Sequence, residues 1–188
     1  MTQPIKVGVS ACLLGEKVRY DGGHKHDRNI TDTLGAYFTF VPVCPEVGCG
    51  LPTPREAMRL EGDPASPRLM TCQTRIDKTE QLLADCSRIA RELQGAGLCG
   101  FIFKERSPSC GLALVPLYNS VTSEMFTFGL FANELRRRIP LMPLEEAERL
   151  NNPNIRTSFI ERVLLYRQEM EVPKNGSCFD PSPLKAKQ

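Results

Sequence analysis

The sequence predicts an α/β protein with a Rossmann-like, open and mainly parallel β-sheet flanked by helices. Three observations support this class: short apolar runs end in loops rich in glycine and proline, a long amphipathic segment lies between two of these runs, and further helical segments follow. Strands that alternate with helices are typical of parallel sheets, whose strands are joined by crossover helices. The chain has 188 residues, a length that suits one domain.

The first half of the chain contains two predicted strands and the clearest predicted helix. Residues 5–12 indicate a short buried strand, and a helical start at Thr31 or Asp32 leads to a second strand over 39–44. Residues 44–56 hold three prolines and two glycines, which exclude a regular helix or a central strand. Residues 56–75 are predicted to be irregular. Residues 77–95 form an amphipathic helix that begins at Asp77 and ends at Gly95.

The second half contains shorter predicted elements. Residues 98–105 are a buried strand and 106–111 the loop at its end. Residues 112–118 are extended, 126–138 change from a loop into a helix, and 139–146 form a short strand and a turn. Residues 145–170 are amphipathic and helical, with an interruption at 151–153, and the turn-rich segment 171–188 is expected to be a disordered tail.

Composition and charge exclude several classes of protein. The formal charge of +2 is too small for bulk nucleic-acid binding, which usually requires a strongly basic face. No run approaches the roughly 20 apolar residues of a membrane span, and residues 1–18 lack the apolar core of a secretory signal. We therefore expect a cytoplasmic protein without membrane contact. In that reducing compartment its eight cysteines are not expected to form a disulfide framework.

Three cysteines stand where predicted strands run out into loops: Cys12, Cys44 and Cys110. Because ligands of open α/β sheets bind outside the carboxyl ends of the strands, the three loops are expected to converge there. Three thiolates leave a fourth position open, as a catalytic metal centre requires, and thiolates favour iron–sulfur clusters, zinc or copper(I). The residues alone do not decide between these metals. Cys86 lies on the apolar face of the predicted helix and is expected in the core.

Three segments resemble the signatures of the thiouracil desulfurase family: VSACLLGEKVRYDGGHK at 9–25, CPEVGCGLPTPRE at 44–56 and KERSPSCG at 104–111. The resemblance extends over roughly residues 5–146. It implies that Cys12, Cys44 and Cys110 hold a 4Fe–4S cluster in which one iron stays open to take sulfur from the substrate. The second segment departs from the family pattern by a further cysteine, so Cys49 is an alternative second ligand.

The reaction implied by the resemblance replaces C=S by C=O in a small thiolated pyrimidine and releases sulfide. The substrate would be 2- or 4-thiouracil, thiouridine or its nucleotide, and no net redox change is required. The resemblance assigns catalytic roles to Glu46 and Ser107, which suit a general acid/base and a hydroxyl donor. From the residues alone, Glu46 could equally be a solvated loop carboxylate, and Ser107 a turn residue before Pro108.

Five charged residues in the same motif loops are candidate substrate-binding residues: Arg19, Asp21, Lys25, Arg55 and Lys104. Each of them could instead form a salt bridge or a hydrogen bond within its loop. Two other functions stay open. The first is a sensory or structural module that binds zinc or an iron–sulfur cluster without turnover, and the second is a sulfurtransferase that carries a persulfide on one cysteine. A requirement for all three loop cysteines would distinguish the desulfurase from both.

The resemblance also divides the chain. Residues 1–146 correspond to the desulfurase domain. Residues 147–170 resemble the junction helix that precedes a second domain in two-domain members, and residues 171–188 form the tail. The junction helix is expected to dock either on its own domain or on a partner.

Overall fold

The computed structural model describes residues 4–118 and 125–171, which form two β-sheets and four α-helices. The first sheet contains, in spatial order, the strands β2 (Thr39–Val43), β1 (Lys6–Ser10), β5 (Gly100–Phe103) and β8 (Leu144–Glu146). Every adjacent pair in this sheet is parallel. The predicted α/β class and the parallel sheet are therefore confirmed.

Alternate residues of β5 belong to two different hydrophobic cores. Phe101 and Phe103 share a core with helices α2 (Thr79–Gly95) and α3 (Leu130–Arg138). Ile102 belongs to the other core, together with residues of helix α4 (Pro153–Glu171). Because successive side chains of a strand point to opposite faces, the sheet lies between two apolar layers. A central strand buried on both faces is a continuous apolar run, which is why the sequence predicted this strand correctly.

A second sheet was not predicted. It contains, in spatial order, the strands β4 (Ser66–Thr71), β3 (Met58–Asp63), β6 (Val115–Tyr118) and β7 (Met125–Thr127). Strands β3 and β4 form an antiparallel hairpin, so the prediction of an irregular segment over 56–75 is wrong. The hairpin buries one face through the cross-strand pair Leu60–Leu69 and carries charged residues and a proline on the rest. That composition weakens the β signal in the sequence.

The helical segment before β2 begins earlier than predicted. The expected start at Thr31 or Asp32 is wrong, because a π-helical turn covers Asn29–Thr33 and a short 3-10 helix follows it. The Asp27 carboxylate accepts the backbone N–H of Asn29 at 2.9 Å, which explains the earlier start.

The loop after β2 contains one turn of helix, α1 (Pro45–Gly48), although its prolines had indicated an irregular loop. Pro45 occupies the first turn, where its missing N–H costs no hydrogen bond. The long helix expected over 77–95 is confirmed as α2, and the Asp77 carboxylate accepts the Thr79 N–H at 2.8 Å. The helix predicted from residue 145 begins only at Pro153, because Leu144–Glu146 form strand β8 and Arg149–Asn151 a 3-10 turn.

Helix α4 packs on the sheet of its own chain. Phe159 and Val163 are fully buried, and the Phe159 ring meets the Phe38 ring edge-on with their centroids 6.3 Å apart. Gly100 of β5 makes this approach possible, since a Cβ atom there would lie 2.9 Å from Val163 Cγ2. None of the helices in the described ranges is long and apolar enough to cross a membrane. The predicted disordered tail lies, except for Glu171, outside the described residues.

Candidate active site

The three predicted ligand cysteines follow three neighbouring strands of the first sheet. Cys12 lies in a 3-10 turn directly after β1, Cys44 stands between β2 and α1, and Cys110 lies in the loop after β5. Strands β2, β1 and β5 are adjacent and parallel, so their carboxyl ends meet at one edge of the sheet. All three cysteines line one cavity of about 410 Å³. The predicted convergence of the three loops is therefore observed.

Burial raises the pKa of all three thiols. The pKa of Cys12 is raised to about 11, that of Cys44 is raised, and that of Cys110 lies well above its usual range. The nearby Cys44 sulfur raises the pKa of Cys12 and of Cys110 further. Three desolvated thiolates around one cavity would repel one another, so a positively charged metal group would be needed to ionise them together.

Three thiols that line one cavity suit an iron–sulfur cluster, which takes cysteine ligands. Within residues 4–118 and 125–171, no group of three or more Cys, His, Asp or Glu is arranged to hold one metal ion. A cluster attaches its cysteines to different irons, so its ligands need not converge on one point. Two buried polar atoms on residues that line the cavity, Arg19 Nε and Glu105 Oε2, have no hydrogen-bond partner among the described residues. Such atoms are rare in a filled interior and are consistent with a cavity that holds a ligand.

Glu46 lies on the cavity wall, and both of its carboxylate oxygens are bonded. The Ser109 hydroxyl donates to Oε1 at 2.7 Å, and the Arg55 guanidinium donates to Oε2, from Nε at 2.9 Å and also from Nη2. The side chains of Glu46 and Arg55 are only 13% and 6% exposed. Glu46 is therefore a largely buried, ion-paired carboxylate and not a solvated loop residue.

Ser107 lines the same cavity and also forms the turn that the sequence allowed. Its hydroxyl oxygen accepts the backbone N–H of Ser109 at 3.3 Å and that of Cys110 at 3.1 Å. These bonds shape the backbone that presents Cys110. A hydroxyl that accepts two hydrogen bonds keeps its own proton to donate, so the turn role and a role in the cavity are compatible.

Four of the five candidate substrate-binding residues line the cavity: Arg19, Lys25, Arg55 and Lys104. Asp21 is not part of the lining, and it lies 3.5 Å from Arg19 Nε while it accepts the Gly23 N–H. The Lys104 ammonium forms an ion pair with the neighbouring Glu105 carboxylate. Lys25 and Lys104 also line an adjacent cavity of about 630 Å³. The candidates thus differ in how free they are to meet a ligand.

The sequence analysis missed two buried serines at the site. Ser10, 2% exposed, lines the cavity and accepts the backbone N–H of Lys104 at 3.0 Å, which joins the ends of β1 and β5. Ser109, 0% exposed, donates to Glu46. Ser10 stands two residues before Cys12 and Ser109 directly before Cys110, so both serines lie inside the signature segments of the sequence.

Cys49, the alternative second ligand, is not part of the cavity lining. Its thiol donates to the carbonyl oxygen of Glu46 at 3.2 Å, at the end of α1. It also packs partly against the core that contains α2. The structure therefore favours Cys44 over Cys49 as the cysteine that faces the cavity.

The fold and the site define a class: an α/β protein with three cysteines and a held carboxylate around a cavity at the carboxyl edge of its parallel sheet. A family model described as 2-thiouracil desulfurase matches residues 7–147. The chain therefore belongs to the 2-thiouracil desulfurase family, and the resemblance seen in its three signature segments is confirmed.

A solved structure and a curated protein are similar to this chain. The solved structure is the 4Fe–4S-dependent thiouracil desulfidase TudS, with a TM-score of 0.65 and 32% identity over 82% of this chain and 98% of that chain. The uncharacterized protein YbbK of Bacillus subtilis (strain 168) is 29% identical over 121 residues, which are 61% of this chain and 78% of that protein. The similarity to TudS extends through nearly the whole of that structure and supports the predicted α/β fold.

Proposed function

We propose that this chain is a 4Fe–4S-dependent desulfurase that converts the C=S group of a thiolated pyrimidine to C=O and releases sulfide. One observation carries the proposal: the three signature cysteines line one cavity together with a carboxylate that two partners hold in place. Membership of the 2-thiouracil desulfurase family supports the substrate class. The similar protein TudS is a 4Fe–4S-dependent thiouracil desulfidase, which supports the same cofactor here.

Cys12, Cys44 and Cys110 would each bind one iron and leave the fourth iron without a protein ligand. When bound, the cluster would supply a Lewis-acidic iron for the soft sulfur of the substrate. Burial keeps these thiols protonated in the protein without metal, so binding of the cluster would release their protons. The free thiols of the described residues also suit a reducing compartment, and the cytoplasm remains the expected location.

Glu46 and Ser107 would perform the proton chemistry from the cavity wall. The Glu46 carboxylate accepts a proton from the water that replaces sulfur, and its two partners restrict it to one orientation. The Ser107 hydroxyl donates its proton to negative charge that develops on the substrate. Arg19, whose Nε has no hydrogen-bond partner in the described part of the chain, and Lys25 would bind polar groups of the substrate.

The division of the chain stays a proposal as well. The family match ends at residue 147, which supports a boundary of the desulfurase domain near residue 146. Helix α4 follows at Pro153–Glu171, in the segment assigned to the junction.

The test is anaerobic purification, reconstitution with iron and sulfide, and an assay with 2-thiouracil, 4-thiouracil and 4-thiouridine. We expect about four irons and four sulfides per chain, as a 4Fe–4S cluster requires. At least one substrate should yield its oxygen analogue and an equal amount of sulfide. Bound zinc without turnover would favour the metal-binding module. Activity that persists without iron and depends on one cysteine would favour the persulfide sulfurtransferase.

A further inference from the structure

We infer that Ser109 and Arg55 are positioning residues for Glu46, and that these three side chains join the three cysteine loops into one site. The inference rests on the proposed function, because it assumes that Glu46 moves protons in the cavity. It assigns a role to Ser109 and replaces the substrate-binding role that the sequence suggested for Arg55.

The three side chains connect all three cysteine-bearing loops. Glu46 belongs to the loop of Cys44, and its Oε1 accepts the hydroxyl of Ser109, the residue before Cys110. Its Oε2 accepts Arg55, and Arg55 Nη2 also donates to the carbonyl of Val18, in the loop that follows Cys12, at 3.0 Å. One carboxylate and one guanidinium therefore bond to segments next to each of the three cysteines.

Arg55 has no donor left for a substrate. A guanidinium offers five N–H donors. Nε and Nη2 bond to Glu46 and Val18, while Nη1 donates to the carbonyl of Pro52 at 3.1 Å and to the Thr53 hydroxyl at 3.2 Å. The side chain is only 6% exposed. Because every donor already has a partner in the protein, Arg55 orients Glu46 and the adjoining loops.

Ser109 does not line the cavity, and both its hydroxyl and its backbone carbonyl form hydrogen bonds. It is fully buried, and its carbonyl accepts the backbone N–H of Phe131 at 2.9 Å and of Ala132 at 3.3 Å, in the first turn of α3. Gly129 permits this approach, since a Cβ atom there would lie 2.6 Å from the Ser109 carbonyl. With its backbone anchored on α3, the Ser109 hydroxyl presents a donor of defined direction to Glu46.

A double-mutant cycle on the reconstituted enzyme tests whether Ser109 acts through Glu46. Ser109→Ala should keep the cluster absorbance but lower kcat roughly 10- to 100-fold, because it removes a hydrogen bond to a charged group, while KM changes less than about 3-fold. In the Glu46→Gln background, Ser109→Ala should lower kcat no further. Multiplied effects on kcat would show that Ser109 acts independently of Glu46 and would overturn the inference.

Ser87→Ala is the matched control. The Ser87 hydroxyl donates to Glu134 Oε1 at 3.2 Å, and Glu134 pairs with Arg137, so the same chemical trio lies between α2 and α3 away from the cavity. We expect wild-type kcat for this variant. An equal loss of kcat in Ser87→Ala and Ser109→Ala would show that both substitutions act through the general stability of the fold, and it would overturn the inference.

Release of iron to a chelator tests the joining of the loops without an activity assay. Arg55→Lys keeps the charge but loses the planar fork, so it should release iron at least about 3-fold faster than the wild type, as should Ser109→Ala. Ser87→Ala should release iron at the wild-type rate. Release of iron at the wild-type rate from both Arg55→Lys and Ser109→Ala would refute the inference, whatever the activity of Glu46→Gln. Full activity of Glu46→Gln would count only against the proposed role of Glu46.

Discussion

At the scale of single residues, the cysteines that line the cavity differ from those that pack in the core. Ala at Cys12, Cys44 or Cys110 should abolish cluster retention, because each removes one of the three cavity thiols. Ala at Cys86 or Cys99 should keep the cluster and cost on the order of 1 kcal/mol of packing, since both side chains are fully buried. Iron per chain after anaerobic reconstitution is the measurement.

Cys49→Ala is the control for the choice of the second ligand. Its thiol bonds to the Glu46 carbonyl and it does not line the cavity, so this variant should retain iron. Loss of iron from Cys49→Ala together with retention in Cys44→Ala would show that the assignment of the second ligand is wrong.

Substitution of Glu46 or Ser107 should lower turnover without loss of the cluster. Glu46→Gln keeps the shape of the side chain but removes its ionisable group, and Ser107→Ala removes one hydroxyl. Both variants should keep the absorbance of the cluster while turnover falls, by roughly 10²- to 10⁴-fold for Glu46→Gln, the usual contribution of a general acid or base. KM should change less than kcat, because in both variants the substrate sulfur would still bind to the open iron. Turnover of Glu46→Gln within a few-fold of the wild type would make Glu46 a bystander.

At the scale of elements, the packing of α4 on the first sheet predicts that α4 stabilises the whole fold. Phe159→Ala should lower the free energy of unfolding by about 3–5 kcal/mol, because the ring is fully buried against Phe38. Leu165→Ala on the same helix is the control and should cost less than about 0.5 kcal/mol, since Leu165 is 58% exposed. Urea unfolding measures both, and equal small losses would contradict the docking of α4.

The free energy of unfolding should depend on pH through Glu61 of the β3–β4 hairpin. The hydrogen bond from Arg75, helped by Arg59, lowers the pKa of Glu61 from 4.5 to about 2. A carboxyl group with a lowered pKa in the folded state stabilises the fold above the unfolded pKa and loses that contribution as the pH falls through the folded pKa. Glu61→Gln should therefore unfold at lower urea than the wild type at pH 7, and the difference should disappear between pH 4.5 and about 2. A difference as large at pH 2 as at pH 7 would contradict the ion pair.

At the scale of the whole molecule, the proposed cluster predicts sensitivity to oxygen. Three protein ligands would leave one iron of the proposed cluster facing the cavity, so oxygen should reach and destroy the cluster. Protein purified in air should be colourless and inactive, and protein reconstituted without oxygen should be brown and active. Visible absorbance and iron content are the measurements. A reconstituted protein without bound iron or broad visible absorbance would contradict the proposal.

The sequence by itself determined the parallel sheet and the position of the cysteines on it. Strands β1, β2 and β5 were recognisable as short apolar runs, and β1 and β5 are almost completely buried. Cys12 and Cys44 follow such strands directly, so their place at the carboxyl edge is a local property of the chain. The hairpin β3–β4 escaped prediction because it buries little apolar surface, and its strands are defined by pairing with each other.

Only the tertiary structure decided what surrounds Glu46. Its carboxylate meets Ser109, 63 residues further along the chain, and Arg55, which also reaches back to the carbonyl of Val18. These contacts exist because β2, β1 and β5 are neighbours in the sheet, an order that differs from their order in the sequence. A hydrogen bond between side chains from two loops depends on the distance between the loops, and that distance is set by the pairing of strands and not by either loop alone.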